Sequence, residues 1–352
     1  MSVQICIVLE NTGNEIFNFV REFLAEAGKN IVIVPHENPD GDALGSSIGV
    51  AEILKTSGQN VCIISPNDYP GFLKWFSSEV EVIVFEREKK KARKYLENAD
   101  FLICLDFNDA KRTARLEKEI LGFSKPKLLI DHHPYPVYFC DYTVSEPAYS
   151  STAELVFDFI NKIGFEKYLS YNAAEALYTG ILTDTGSFSH NTSRPNMFRV
   201  VSELMKFGIN TDKIQSNIYH NFSSDRMKLL GYCLNEKMEV FPELRSAVIS
   251  ITKAELEKFN FKPGDTEGFV NYPLSINNIV FSALFIEKEG FVKASFRSKG
   301  NFPANEFSQN HFSGGGHLNA AGGESKDNFE KTIELFRQLL PRYKHQLMET
   351  II

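Results

Sequence analysis

Three short apolar strings, each running straight into an acid or a histidine, restrict this chain more than any other feature. IVIVP (31–35) opens onto His36, FLICLD (101–106) closes on Asp106, and KLLID (127–131) closes on Asp131, with two histidines directly after it. VCIIS (61–65) and VEVIVF (80–85) are further strings of the same kind. Continuous apolar runs this short fit strands buried on both faces, as in a parallel sheet. Helical patterns lie between them. Residues 14–28 put Ile16, Phe17, Val20, Phe23 and Leu24 on one stripe before Gly28, and ALGSSIGVAEILKTSG (43–58) stops at Gly58. Strands alternating with helices predict an α/β domain with a parallel, Rossmann-like sheet. In such a sheet the residue just past the carboxyl end of a strand reaches the ligand crevice.

After Ser150 the pattern changes. Residues 151–164, 172–184, 194–208 and 223–235 read as helices, and strands return at 237–241, 246–251, 278–287 and 291–297. An amphipathic helix over 327–350, kinked at Pro341, closes the chain. A length of 352 residues suits two domains. The expected division is a catalytic α/β domain over 1–190, a helical linker over 191–235 and a smaller α/β domain over 236–352.

Charge and cysteine usage narrow the function classes. With 38 Lys and Arg against 45 Asp and Glu, the net charge of −7 argues against a protein that coats duplex DNA. The basic run EREKKKARK (86–94) reads as a solvated helix face. Cys6, Cys62, Cys104, Cys140 and Cys233 are scattered, form no CxxC pair and read as buried reduced thiols, which points to the cytoplasm. The first fifteen residues lack a basic n-region and a cleavage site, and no apolar run approaches the ~18–20 residues of a membrane span.

The chemistry gathers at the strand ends. HENPDGDA (36–43) places His36, Asp40 and Asp42 on one strand-to-helix turn. A histidine with carboxylates suits a divalent transition metal, while the same aspartates can equally cap the helix that follows. Asp106, the pair His132 and His133 after Asp131, and Asp184 in TDTGSF add more acids and imidazoles at elements expected to reach the same sheet edge. Acids packed this densely repel one another unless cations bind. Two metals about 3.5–4 Å apart, sharing a carboxylate, relieve that repulsion and create a hydrolytic site.

HENPDGDA, the Asp of LDFNDAKR, DHH and TDTGSF resemble the four ordered motifs of the DHH phosphoesterases, and GGGHLNAAGG (314–323) resembles the glycine-rich signature of the DHHA1 domain. The layout is similar to the compact two-domain nanoRNase/pAp phosphatases, a RecJ-related group that includes proteins labelled exopolyphosphatase-related. The resemblance implies two divalent ions, manganese foremost. His36 and Asp40 would hold the first and Asp42, His132 and Asp184 the second, with Asp106 shared and a bridging water attacking phosphorus in line. It further implies that Asp131 orients His132 and that His133 contacts the scissile phosphate. Gly314, Gly315, Gly316 and His317 would clamp a second phosphate, with LNAAGG starting a helix. Arg297 and Ser298 would add donors, and Arg112 would brace the carboxylates or approach phosphate.

The implied reaction is hydrolysis of short linear nucleotides, either 5′-phosphorylated oligoribonucleotides or pAp, held between the two domains. A cyclic dinucleotide phosphodiesterase and an inorganic pyro- or polyphosphatase are the enzymatic alternatives, and a nucleotide-binding regulatory module is the non-enzymatic one. No membrane partner is expected, and a homodimer is compatible with the chain. The spacing of its 30 Phe and 13 Tyr singles out no base-stacking residue.

Overall fold

The computed structural model describes residues 5–7, 14–76 and 80–351. Most of the segment in which no signal sequence is found, and the Cys6 side chain, lie outside the described residues. The chain divides into two compact units that meet between Asn221 and Phe222.

The first unit runs β1 (Ile5–Ile7), α1 (Asn14–Ala25), β2 (Asn30–Pro35), α2 (Gly41–Thr56), β3 (Asn60–Ser65), β4 (Glu81–Val84), α3 (Phe85–Asn98) and β5 (Phe101–Leu105). It continues with α4 (Glu117–Leu121), β6 (Lys127–Asp131), β7 (Tyr142–Ser145), α5 (Thr152–Lys162), α6 (Tyr171–Asp184), α7 (Pro195–Met205) and α8 (Thr211–Tyr219). Its seven strands form one parallel sheet in the order β1-β7-β6-β5-β2-β3-β4. Ile31 and Ile33 face one core with Ile63, Phe101 and Ile103, while Val32 and Val34 face the other with Cys62, Leu102 and Cys104. Burial on both faces is why these strands are apolar without alternation. The strand order reverses between β2 and β5, which are paired neighbours with Pro35 opposite Leu105. A crevice opens at such a switch point, and His36 and Asp106 are the next residues on either side of it.

The second unit runs α9 (Ser224–Tyr232), β8 (Met238–Phe241), β9 (Ser246–Ile251), α10 (Lys253–Lys258), β10 (Phe281–Lys288), β11 (Phe291–Ser298), α11 (Ala304–His311), β12 (Gly315–His317), β13 (Ala320–Ser325), α12 (Phe329–Leu339) and α13 (Lys344–Glu349). Its mixed sheet has the order β12-β13-β11-β10-β9-β8, parallel only between β9 and β10. Phe281, Phe285, Phe296, Phe307, Phe312 and Phe336 fill one of its cores. The closing amphipathic segment is two helices rather than one, with Pro341 in the 3-10 turn between α12 and α13.

The stretch 191–235 does not stand apart as a linker. Met197, Val200 and Leu204 of α7 and Ile214 and Ile218 of α8 are buried in the first unit's core, whereas Leu229, Leu230 and Cys233 are buried in the second's. Helices with this much apolar surface pack onto the nearest core. Cys62, Cys104, Cys140 and Cys233 are buried and free, and burial pushes the Cys62 and Cys233 thiols up to about 12. Among the described residues no helix is long and apolar enough to cross a membrane.

Candidate metal centre

The turn after β2 begins the site. Asp40 caps α2: its Oδ1 accepts the backbone N–H groups of Asp42 and Ala43, both at 3.0 Å. Its Oδ2 lies 3.8 Å from His36 Nε2. Capping and ligand geometry therefore coexist, one oxygen for each. His36 Nδ1–H donates to the Glu37 carbonyl at 2.8 Å, so the lone pair of Nε2 is directed at the carboxylates.

Asp106 stands between two imidazoles. Its Oδ2 is 3.6 Å from His36 Nε2 and its Oδ1 is 3.7 Å from His132 Nε2. Its backbone adopts a left-handed φ of 68°, a conformation that aspartate tolerates better than most side chains. Burial opposes its charge, but His36, His133 and His132 outweigh burial and hold the carboxyl well below the usual range.

His132 Nδ1–H donates to the Tyr149 carbonyl at 3.2 Å, so its Nε2 lone pair also faces inward. That nitrogen is 3.9 Å from Asp42 Oδ2 and 3.6 Å from Asp184 Oδ2. The expected partnership of Asp131 with His132 is not what forms. Asp131 Oδ1 accepts from His133 Nδ1 at 2.8 Å instead. Its Oδ2 is buried with no hydrogen-bond partner. Successive residues past a strand end turn in different directions, and only the second imidazole comes back over the aspartate.

Asp42 is 1 % exposed and is gripped by the amino end of α5: Thr152 N–H donates to Oδ2 at 2.6 Å and Ala153 N–H to Oδ1 at 2.9 Å. Burial, then Asp106, Asp184 and Asp40, push its pKa well up, with the Ala153 amide opposing them. Asp184, at the end of α6, rises to about 6 through burial and the Asp40 and Asp106 charges, against the pull of His132. Close packing of α6 on α2 brings it there. A Cβ on Gly45 would come within 2.5 Å of the Ala176 carbonyl oxygen, and one on Gly41 within 2.3 Å of Thr183 Oγ1. Glycines at every fourth position of GDALGSSIG (41–49) thus let α6 pack closely, its backbone against Gly45 and the Thr183 and Leu177 side chains against Gly41 and Gly49.

Two groups of ligand atoms result, His36 with Asp40 and Asp106, and Asp42 with His132 and Asp184, each mutually within 4.8 Å. The spacings of 3.6–3.9 Å between these donor atoms are too long for hydrogen bonds. They suit donor atoms that would be held apart around a shared cation rather than bonded to one another. Nε2 atoms turned inward on both histidines, with the Asp42 and Asp184 carboxyls raised by burial and by their acidic neighbours, are the chemistry a divalent cation satisfies. Cation-binding capacity is therefore built into this sheet edge.

Thr152 escapes the sequence reading. Its hydroxyl donates to Asp106 Oδ1 at 2.7 Å while its N–H holds Asp42. The only sequence signal is the cap signature SSTAE, which marks a helix start and does not say what the helix start faces. Arg112 is exposed in the 3-10 turn after β5, where its carbonyl accepts from Glu37 N–H at 2.8 Å; burial and, less strongly, the Arg112 charge oppose protonation of His36, but Asp106 and Asp40 outweigh them and raise it.

In the second unit the glycine motif is a hairpin, not the start of a helix. Leu318 and Asn319 turn β12 into β13, and AAGG supplies strand residues because glycine is a poor helix former and β13 is paired on both sides, with β11 and β12. Gly314 and Gly316 are crowded by β13, with ideal Cβ positions 2.0 Å from the Gly322 oxygen and 2.4 Å from the Ala320 oxygen, while Gly315 meets nothing within 4 Å. Arg297 pairs with Ala320, which pairs with His317. Residues in one row share a face, so Arg297 and His317 flank a small alanine about 9.6 Å apart, two strand spacings. Ser298 is buried and braces this hairpin, donating to the Phe302 carbonyl at 2.7 Å and accepting from Asn319 at 2.9 Å.

Comparison with known proteins places the chain in one family. The profile of the DHH family's N-terminal domain matches residues 30–181 and that of the DHHA1 domain residues 246–342. The bifunctional oligoribonuclease and PAP phosphatase NrnA of Thermus thermophilus is 30% identical over 93% of this chain and 95% of its own length. The protein of the same name from Bacillus subtilis is 25% identical over 83% and 88%. A crystal structure of an exopolyphosphatase-related protein from Bacteroides fragilis superposes with a TM-score of 0.92 at 40% identity, covering 97% of this chain and all of that one.

Proposed function

This chain belongs to the DHH family of metal-dependent phosphoesterases, and from that premise we propose that it hydrolyses short linear nucleotides carrying a terminal phosphate, 5′-phosphorylated oligoribonucleotides and pAp. The observation that carries the reading is the two ligand groups, His36 with Asp40 and Asp106 and Asp42 with His132 and Asp184, with Asp106 Oδ1 3.7 Å from His132 Nε2. We assign His36, Asp40 and Asp106 to one divalent ion and Asp42, His132, Asp184 and Asp106 to a second, with manganese as the working ion. Bound there, such ions act as Lewis acids and lower the pKa of water toward neutrality.

The protein's own residues do the rest. His36 and His132 are fixed by the Glu37 and Tyr149 carbonyls, so each presents a lone pair without reorganising. Asp42 is held by α5 and Asp40 by α2, which keeps both carboxylates in place before any ligand arrives. His133, set by Asp131, is assigned to the scissile phosphate, where an imidazolium donates a proton to the leaving oxygen. Arg297, His317 and the open Gly315 backbone are assigned to a second phosphate. Arg112 is assigned to bracing the turn after β2 through its carbonyl.

The test is a manganese-supplemented hydrolysis panel of a 5′-phosphorylated ribodinucleotide, pAp, a cyclic dinucleotide and pyrophosphate, with Asp106→Ala as control. Release of mononucleotides from the linear dinucleotide or phosphate from pAp, lost in the variant, supports the reading. Preference for the cyclic compound, or cleavage of pyrophosphate alone, overturns the substrate assignment. Full activity in Asp106→Ala overturns the metal assignment.

A further inference from the structure

We propose that Tyr135 is a nucleobase platform beside the metal centre, an inference that rests on the reading of this site as a nucleotide phosphohydrolase. The observation is an aromatic ring kept out of the core at a structural cost. Tyr135 is 86 % exposed, more than any other large apolar or aromatic side chain among the described residues. Its φ is 58°, the left-handed region that a bulky residue rarely enters. Pro134 and Pro136 flank it and restrict the backbone on both sides. Asn108 ties the loop down, donating from its side chain to the Pro134 carbonyl at 2.6 Å and accepting Val137 N–H at 2.7 Å.

These anchors fix where the ring stands. Asn108 lies two residues beyond Asp106, and Tyr135 two residues beyond His133. The loop therefore bridges the carboxyl ends of β5 and β6, the strands that deliver Asp106 and His132. Two residues of chain span about 7 Å at most, which is within the reach of a nucleoside whose phosphate is at the metals. A strained, exposed and braced ring at the rim of a site is the signature of preorganisation for a ligand. Every base has a π-face, so a tyrosine here gives affinity without base preference, as an enzyme acting on mixed oligoribonucleotides requires.

The experiment compares wild type, Tyr135→Ala and Tyr135→Phe by steady-state kinetics on 5′-phosphorylated diadenylate, on the matching diuridylate and on a dinucleotide lacking both bases. Base stacking of the usual strength makes the expected result a rise of about 5- to 100-fold in KM for Tyr135→Ala on both natural dinucleotides, with kcat little changed. The abasic compound shows no difference between the proteins, and Tyr135→Phe behaves as wild type. Wild-type KM in Tyr135→Ala on the natural dinucleotides refutes the platform alone, as does an equal loss on the abasic compound, which marks a structural role. Wild-type protein inert on all three refutes the nucleotide reading and the platform with it.

Discussion

Replacing Thr152 by valine removes one hydroxyl and preserves shape, β-branching and the backbone N–H that holds Asp42. The lost interaction is a 2.7 Å hydrogen bond to Asp106 Oδ1 between two buried groups. A hydrogen bond to a charged acceptor contributes about 1.5–3 kcal/mol. Asp106 Oδ1 faces His132 while Oδ2 faces His36, so rotation of this carboxylate disturbs both ligand groups together. The account therefore expects manganese affinity in Thr152→Val to fall by about 10- to 100-fold, the range seen when a group supporting a metal ligand is lost. Isothermal titration of metal-free protein reads this directly, with Thr152→Ser as the companion. Serine keeps the hydroxyl and should stay within about threefold of wild type. Wild-type affinity in Thr152→Val, or a serine variant as weak as the valine one, would refute the role given to this hydroxyl.

Gly45→Ala drives a methyl against the Ala176 and Gly180 backbones, so it should lower stability by about 1–3 kcal/mol in thermal unfolding and weaken manganese binding through Asp184 on α6. An unaltered melting temperature would show that α2 and α6 need no such contact. Glu255 gives a pH prediction for the second unit. Burial would raise its carboxyl, but the Thr252 backbone N–H, Lys237, Tyr232 and the Thr252 hydroxyl hold it at about 2. A depressed folded-state pKa stabilises above the unfolded value near 4.5 and ceases to do so as pH falls toward 2, by about 1–2 kcal/mol once solvent screening is allowed for. In urea unfolding, Glu255→Gln should therefore be less stable than wild type at pH 7, with the gap narrowing as pH falls below about 4.5 toward 2, and a gap independent of pH contradicts the assignment. His317→Ala should raise KM for pAp by about 10- to 100-fold with a smaller effect on a minimal phosphodiester, and equal losses on both would place His317 in chemistry or structure instead.

Part of this cluster was legible because His36, Asp106 and the triplet Asp131, His132 and His133 sit at the ends of apolar strings that read as buried strands, and a parallel sheet sends the carboxyl ends of its strands to one edge. Asp40 shows the limit of that logic. Sequence offers a helix cap or a ligand as alternatives, while the folded carboxylate caps α2 with one oxygen and turns the other toward His36. Thr152 was hidden because its bonds reach 46 and 110 residues back along the chain, to Asp106 and Asp42. The partner of Asp131 was misread because the DHH triplet does not encode which imidazole folds back. The glycines of GGGHLNAAGG looked like an anion loop, yet Gly314 and Gly316 answer to crowding by β13, a contact set by strand pairing.

The most direct test of the central claim is a crystal structure with manganese, its ions located by anomalous scattering. The account predicts two ions, one about 2.0–2.2 Å from His36 Nε2 and from oxygens of Asp40 and Asp106, the other at similar distances from His132 Nε2, Asp42 and Asp184, with Asp106 touching both. A single ion, ions held elsewhere, or an Asp106 carboxylate bound to neither would contradict it.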